Sequence, residues 1–268
     1  MSDFSLEQLG HSFETLREDI TVTEFAKLAE EAGFSVQQIA AVDYVFDYLR
    51  KKQIETTIHT IQKMSRLPLK DPKTFENFDF SLIKGKDADR LKELPSLSAI
   101  YAHKNLAFIG PAGTGKTHLA QAFGYECCLH GLKTYFIKMS ELRDRFTLAR
   151  RTGREAKALN GLVRPSCLII DEVGHCEFDK ENTRLFFDLI DRRYNKEGYF
   201  NTIFTSNKNP ALWKDNFQED DSLLCALDRI FDDATVFTIR GESFRGKNLE
   251  KVMLQTSRVK GSSETPNL

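Results

Sequence analysis

Residues 110–117 read Gly-Pro-Ala-Gly-Thr-Gly-Lys-Thr, a complete G-x-x-x-x-G-K-[ST] pattern, and nothing else in the chain restricts its fold as tightly. An apolar run, Leu106–Ile109, comes directly before it, and a helix-forming stretch opens at His118. A strand, a glycine-rich loop and a helix in that order make a cradle for phosphate. Without Cβ atoms the backbone curls so that successive N–H groups point inward, and the helix N-terminus adds partial positive charge. The pattern predicts a triphosphate pocket built from Gly110, Pro111, Ala112, Gly113, Thr114, Gly115, Lys116, Thr117 and His118. Lys116 is expected to reach the β- and γ-phosphates, and the Thr117 hydroxyl to ligate Mg²⁺.

The chain around this loop alternates short apolar runs with amphipathic stretches. The runs are 106–109, 134–137, 167–170, 202–205 and 235–239, and helical stretches fall near 117–130, 140–163, 180–197 and 222–231. Strands alternating with helices predict an α/β domain with a central parallel five-stranded sheet covered on both faces, over residues 100–258. The run Cys167-Leu-Ile-Ile then delivers Asp171 and Glu172 to a strand's C-terminal end, where open α/β sheets bind ligands. Asp171 suits a Mg²⁺ ligand, directly or through water, and Glu172 suits a general base acting on the attacking water. Asn207, at the end of Thr202-Ile-Phe-Thr-Ser-Asn, is placed to position that water. The plain alternative for Asn207 is a residue that merely ends a strand.

Asn207-Lys-Asn-Pro starts like a guanine reader but has Pro210 where an Asp must accept from the base, which argues against GTP. A carboxylate aimed at water favours hydrolysis over phosphoryl transfer to an acceptor, leaving a small-molecule P-loop kinase as an alternative. A nucleotide-gated interaction module with little turnover is another.

The first ~66 residues read as a small helical adaptor domain. Thr21 or Thr23 caps one helix that ends at Gly33, and Ser35 opens a longer one with Ile54, Ile58, Ile61 and Met64 along one face, stopped by Pro68 and Pro72. Residues 67–99 read as a linker whose Phe75, Phe78 and Phe80 dock on the next domain, and residues 259–268 as a disordered tail. There is no apolar run of membrane-spanning length and no basic start with an apolar stretch behind it, so the chain is expected to be cytoplasmic. The 5 cysteines form no C-x-x-C pair, which suits buried, reduced thiols in that compartment.

Net charge is −1, so a basic surface must be local. Residues 138–164 supply one, with eight basic side chains against Glu141, Asp144 and Glu155, a net of +5. Lys138, Arg143, Arg145, Arg150, Arg151 and Arg154 are the candidates for phosphate contacts, arginine pairing with phosphate as a two-pronged fork. A solvated helical face is the plain alternative. The acidic stretch 219–233 offers a complement for basic surface on a neighbour.

The set GPAGTGKTHLA, LIIDEVG, TIFTSN and ALDRIFDDATVFTIRGESFR, with the preceding TFENFDF, resembles the IstB/DnaC-like AAA+ ATPases, and among them the IstB type that helps insertion-sequence transposases. The resemblance spans roughly residues 65–255. It implies an AAA+ fold, head-to-tail self-assembly with ATP between subunits, and basic helices lining the inside of the oligomer along duplex DNA. It further implies a trans-acting arginine at Arg229 and a second phosphate-sensing arginine at Arg245, although the family largely lacks the lid domain that usually carries the latter. A transposase is the partner so implied, and a replicative helicase, served by loaders of the same family, is the alternative.

Overall fold

The structure is a computed structural model and describes residues 3–83, 88–218, 220–241 and 243. Arg245 and the 259–268 tail lie outside the described residues, as does part of the acidic 219–233 stretch.

The chain begins with three helices, α1 (Asp3–Leu16), α2 (Val22–Glu31) and α3 (Val36–Met64). Thr21 and Glu24 form a reciprocal capping box on α2, and Ser35 and Gln38 form another on α3. Between them Gly33 sits at φ 66°, a backbone state that suits glycine at a helix end. Leu9, Phe13, Phe25, Ala29 and Ile39 pack into a small core of their own. α3 has 29 residues, giving a rod of roughly 43 Å that leaves this core and reaches the sheet domain. There Ile61 is buried and Ile58 half-buried, but Ile54 and Met64 are exposed, so the expected apolar face is used only in part. The helix ends at Met64, before either proline. Ser65 and Arg66, at φ 62°, turn the chain, and the Ser65 carbonyl accepts from Phe136 N–H at 2.8 Å.

Two short helices, α4 (Ala88–Lys92) and α5 (Ser98–Tyr101), lead into the sheet domain. It runs β1 (Asn105–Ile109), α6 (Lys116–Leu129), β2 (Thr134–Lys138), α7 (Met139–Arg151), α8 (Glu155–Val163), β3 (Cys167–Asp171), α9 (Lys180–Tyr194), β4 (Asn201–Ser206), α10 (Asp220–Phe231) and β5 (Ala234–Thr238). Among the described residues all strands pair in parallel, in the order β2-β3-β4-β1-β5. The expected stretch 140–163 is two helices rather than one: Gly153 at φ 61° breaks it and α8 restarts after Arg154.

Strand alternation sorts the core into two layers. Leu106, Phe108, Cys167, Ile169 and Ile203 face α6, together with Leu67, Phe75, Phe78 and Leu91 from the segment before the sheet. Ala107, Ile109, Leu168, Ile170 and Phe204 face α7–α10, where Leu142, Phe146, Leu162 and Leu189 meet them. The fold is thus an α/β domain with a parallel five-stranded sheet, preceded by a helical unit. Cys127, Cys128 and Cys167 are buried, and burial pushes the Cys128 thiol up to about 11. Cys176 is half-buried and Cys225 exposed, contrary to the expectation that all would be interior.

Candidate nucleotide site

Everything chemically notable sits at the C-terminal ends of β1, β3 and β4, because parallel strands deliver their last residues to one edge. The loop after β1 needs its glycines. A Cβ on Gly110 would stand 2.1 Å from the Ile239 carbonyl oxygen, and one on Gly113, at φ 81°, would stand 1.9 Å from Ser243 Oγ. Thr114 is buried and donates to the Pro111 carbonyl at 2.9 Å, bracing the loop. Lys116 Nζ donates to the same carbonyl at 2.6 Å.

Thr117 Oγ1 donates to Asp171 Oδ1 at 2.8 Å, and Thr205 Oγ1 donates to the same oxygen at 2.6 Å. One carboxylate, 2% exposed, therefore ties the first turn of α6 to the tips of β3 and β4. Burial pushes the Asp171 carboxyl above its ordinary value, with a smaller push from the Glu172 charge, while the bonds from Thr205 and Thr117 act in the opposite sense. Two hydroxyls gathered on a buried carboxylate are the oxygen donor set that a hard divalent cation takes, so Thr117 and Asp171 fit Mg²⁺. No cluster of three or more His, Cys, Asp or Glu side chains with metal-holding geometry occurs among the described residues. A phosphate-bound Mg²⁺ does not need one, since it keeps waters and phosphate oxygens as its other ligands.

Glu172 takes φ 63°, costly for a residue with a side chain. The turn is held in place: Glu172 N–H donates to Thr205 Oγ1 at 3.1 Å, Val173 N–H to the Thr205 carbonyl at 2.8 Å, and Ser206 Oγ to the Val173 carbonyl at 2.6 Å. Trp213 Nε1 in turn donates to Ser206 Oγ at 3.2 Å. The effect is to aim the Glu172 carboxylate outward over the loop, where Lys138 Nζ meets it at 3.2 Å.

Lys116, Thr117, Glu172, Thr205 and Ser206 line a cavity of about 650 Å³; Gly110, Pro111, Thr114 and the buried Asp171 support that lining without forming part of it. Ala112, Gly113, Gly115, Lys116, Thr117 and His118 form its floor, Glu172 and Asn207 one wall. The opposite wall had not been anticipated. It is the segment 73–79, contributing Lys73, Asn77 and Phe78. His118 anchors that segment, its Nε2 being 2.9 Å from the Thr74 carbonyl oxygen and its ring edge-on to Phe78 at 5.1 Å. Burial lowers the His118 pKa, while the bond from its ring N–H to the Thr74 carbonyl acts in the opposite sense. The three aromatics of TFENFDF pointed to docking, but not to which surface. Thr205 and His175, which also line the cavity, were missed too; polar residues at the tip of a strand beside β3 were the available signal for Thr205.

The remaining candidates scatter. Arg229, on α10, lies away from this cavity, with its Nε 3.2 Å from Asp191 Oδ1. Of the basic set, Lys138 is engaged with Glu172, Arg143 with its neighbour Asp144 at 2.8 Å, and Arg150 with Asp179 at 2.9 Å. Arg145 joins α7 to α8, donating to the Ala158 carbonyl at 3.2 Å and to Tyr135 OH at 3.0 Å. Arg151 and Arg154 are exposed at the α7–α8 corner and have no ion-pair partner among the described residues.

Comparison with known proteins places this geometry in a family. Residues 15–252 match the family model described as IstB-like ATP binding protein. The chain is 34% identical over 229 residues to the ATP-binding protein of insertion sequence IS5376 from Geobacillus stearothermophilus, covering 84% of this chain and 88% of that one. It is 30% identical over 248 residues to the IS232 counterpart from Bacillus thuringiensis subsp. berliner, covering 90% and 97%. Among solved structures, the DnaC helicase loader superposes with TM-score 0.51 at 21% identity, covering 62% of this chain and 96% of that one. AMPPCP-bound DnaA from Aquifex aeolicus gives TM-score 0.52 at 22% identity, with 64% and 51% covered. At those identities the two structures attest the fold, whereas the family match runs through α2, α3, the loop and both strand tips. The chain belongs to the IstB-like ATP-binding protein family.

Proposed function

We propose that this chain is an ATPase that binds ATP with Mg²⁺ in the 650 Å³ cavity, assembles head to tail on duplex DNA, and assists the transposase of an insertion sequence. The observation that carries the reading is the convergence on Asp171: Thr117 from the phosphate loop and Thr205 from β4 share one of its oxygens, with Glu172 next in the chain. The loop N–H groups and Lys116 would hold the β- and γ-phosphates. Thr117 and Asp171 would hold Mg²⁺, which when bound supplies charge neutralisation along the phosphate chain. Glu172 would take a proton from the water that attacks phosphorus, as the bond to the β-phosphate oxygen breaks and ADP leaves. Asn207, on the same wall of the cavity, would orient that water.

Lys138 gives this reading a control. Its ion pair holds the Glu172 carboxylate at 3.2 Å, and Lys138 itself opens the basic α7. Phosphates of DNA competing for Lys138 would release Glu172 toward water, making hydrolysis depend on the track. The names of the relatives at 30% identity and above, all ATP-binding proteins of insertion sequences, favour a transposase as partner over a helicase. The test is steady-state phosphate release with and without duplex DNA, alongside co-purification with the transposase and with a replicative helicase. DNA-stimulated release that vanishes in Glu172→Gln supports the mechanism. Unchanged hydrolysis in that variant refutes it, and capture of the helicase alone refutes the assignment of partner.

A further inference from the structure

Arg229 is held on three sides. Its Nε is 3.2 Å from Asp191 Oδ1, its Nη1 donates to the Cys225 carbonyl at 3.3 Å, and its Cζ lies 5.1 Å from the centre of the Phe187 ring. Phe187 and Asp191 are four apart on α9, so one helical turn presents a flat face and a carboxylate together. The ring covers one side of the guanidinium and the carboxylate takes one edge. Of its five N–H groups, one on Nη1 is hydrogen-bonded and Nε is ion-paired with Asp191; Nη2 makes no hydrogen bond among the described residues. The seat lies in a shallow concavity with Asp228, Asp232 and Tyr194, whose hydroxyl donates to Asp232 at 2.8 Å.

We propose that Asp191, backed by Phe187, is the positioning residue of Arg229: it seats the guanidinium at the protomer surface with its remaining N–H groups available to the γ-phosphate bound by a neighbouring copy. The inference rests on the trans-acting reading of Arg229. An arginine side chain has many rotamers, and each one frozen during the encounter with phosphate slows the productive geometry. A seat formed within the protomer removes that loss beforehand. It also keeps the planar fork oriented, which matters because arginine meets phosphate through paired N–H bonds rather than as a point charge.

The test is hydrolysis on duplex DNA at saturating protein for Arg229→Ala, Asp191→Ala, Asp191→Asn, Phe187→Leu and the Arg229→Ala/Asp191→Ala pair, with melting and nucleotide affinity measured for each. Arg229→Ala is expected to lower kcat at least ~100-fold. Asp191→Ala should lower it about 10-fold at unchanged KM, and Asp191→Asn, which keeps an acceptor oxygen, about 3-fold. The double variant should be no slower than Arg229→Ala, since a residue acting only through another adds nothing once that one is gone. Should Asp191→Ala fold poorly, Asp191→Asn and Phe187→Leu carry the comparison. Equal losses from Asp191→Ala with and without Arg229, or no loss at all, overturn the positioning role. Wild-type kcat in Arg229→Ala sinks the trans-acting reading itself, and the proposal with it.

Discussion

The strand tips around Asp171 and the basic corner of α7 and α8 are both rich in polar side chains, yet they are built in opposite ways. At the strand tips each group answers to another: Thr117 and Thr205 to Asp171, Glu172 N–H to Thr205, Ser206 to Val173, Trp213 to Ser206. Such a network is worth keeping only if every member is satisfied, and it fixes positions to fractions of an ångström. At the corner, charges that look equivalent in the chain diverge. Arg145 is consumed in holding two helices together and Arg150 in an ion pair with Asp179, while Arg151 and Arg154 stand exposed. Precision therefore lives where groups are buried and mutually bonded, and adaptable electrostatics where they are exposed.

The sharpest way to break this contrast is at the strand tips. Glu172→Gln should cut phosphate release by roughly 10³-fold while ATP still binds, and Lys116→Ala should abolish binding; hydrolysis and a fluorescent-nucleotide titration separate the two outcomes. Next in size, Arg151→Ala with Arg154→Ala should weaken duplex DNA binding about 10- to 100-fold and flatten the log–log salt dependence by about 2 units, measured by fluorescence anisotropy across salt. A salt slope equal to wild type would show that these two arginines touch no phosphate. Arg145→Ala should do the reverse, lowering Tm by about 3–6 °C through the lost bonds to Ala158 and Tyr135 while leaving the salt slope unchanged.

The smallest effect concerns pH. Because burial raises the Asp171 carboxyl in the folded chain, the folded state favours its protonated form. The stability so contributed is full below the unfolded value and is lost as pH rises through the raised folded one. Asp171→Asn carries no charge to desolvate. Without nucleotide it should melt about 2–4 °C above wild type at pH 8, with the gap closing toward acid, as read by thermal melts over a pH series. With Mg²⁺ and ATP the order should invert, since the ligand carboxylate is gone. A wild-type protein that is the more stable at pH 8 without nucleotide would contradict the raised carboxyl.

Where the chain was legible, the signal was local and carried by backbone geometry. Gly113 and Gly115 mark a tight loop because φ 81° and φ 87° are backbone states that favour glycine, and the apolar run Cys167-Leu-Ile-Ile marks a buried strand that ends at Asp171. The capping pairs Thr21–Glu24 and Ser35–Gln38 likewise mark their helices within four residues. Where it was illegible, the partner was remote. Nothing near Lys138 in the chain announces Glu172, 34 positions on, and nothing near Arg229 announces Asp191 on a different helix. The α7–α8 break was the exception: Gly153 was visible, but helical periodicity continues on both sides of it and concealed the corner.

The order of residues along the chain alone determined the parallel sheet, the glycine-rich loop after β1 and the edge at which Asp171 and Glu172 emerge, since strand period and glycine conformation are properties of neighbours in sequence. Tertiary structure alone decided which charges remain available. An ion pair forms between whichever groups packing brings within about 4 Å, and packing is the joint outcome of the two layers that enclose the sheet. Hence His118 became an anchor for the segment that walls the cavity, Arg145 a strut between helices, and Arg229 a seated group, while Arg151 and Arg154 stayed exposed.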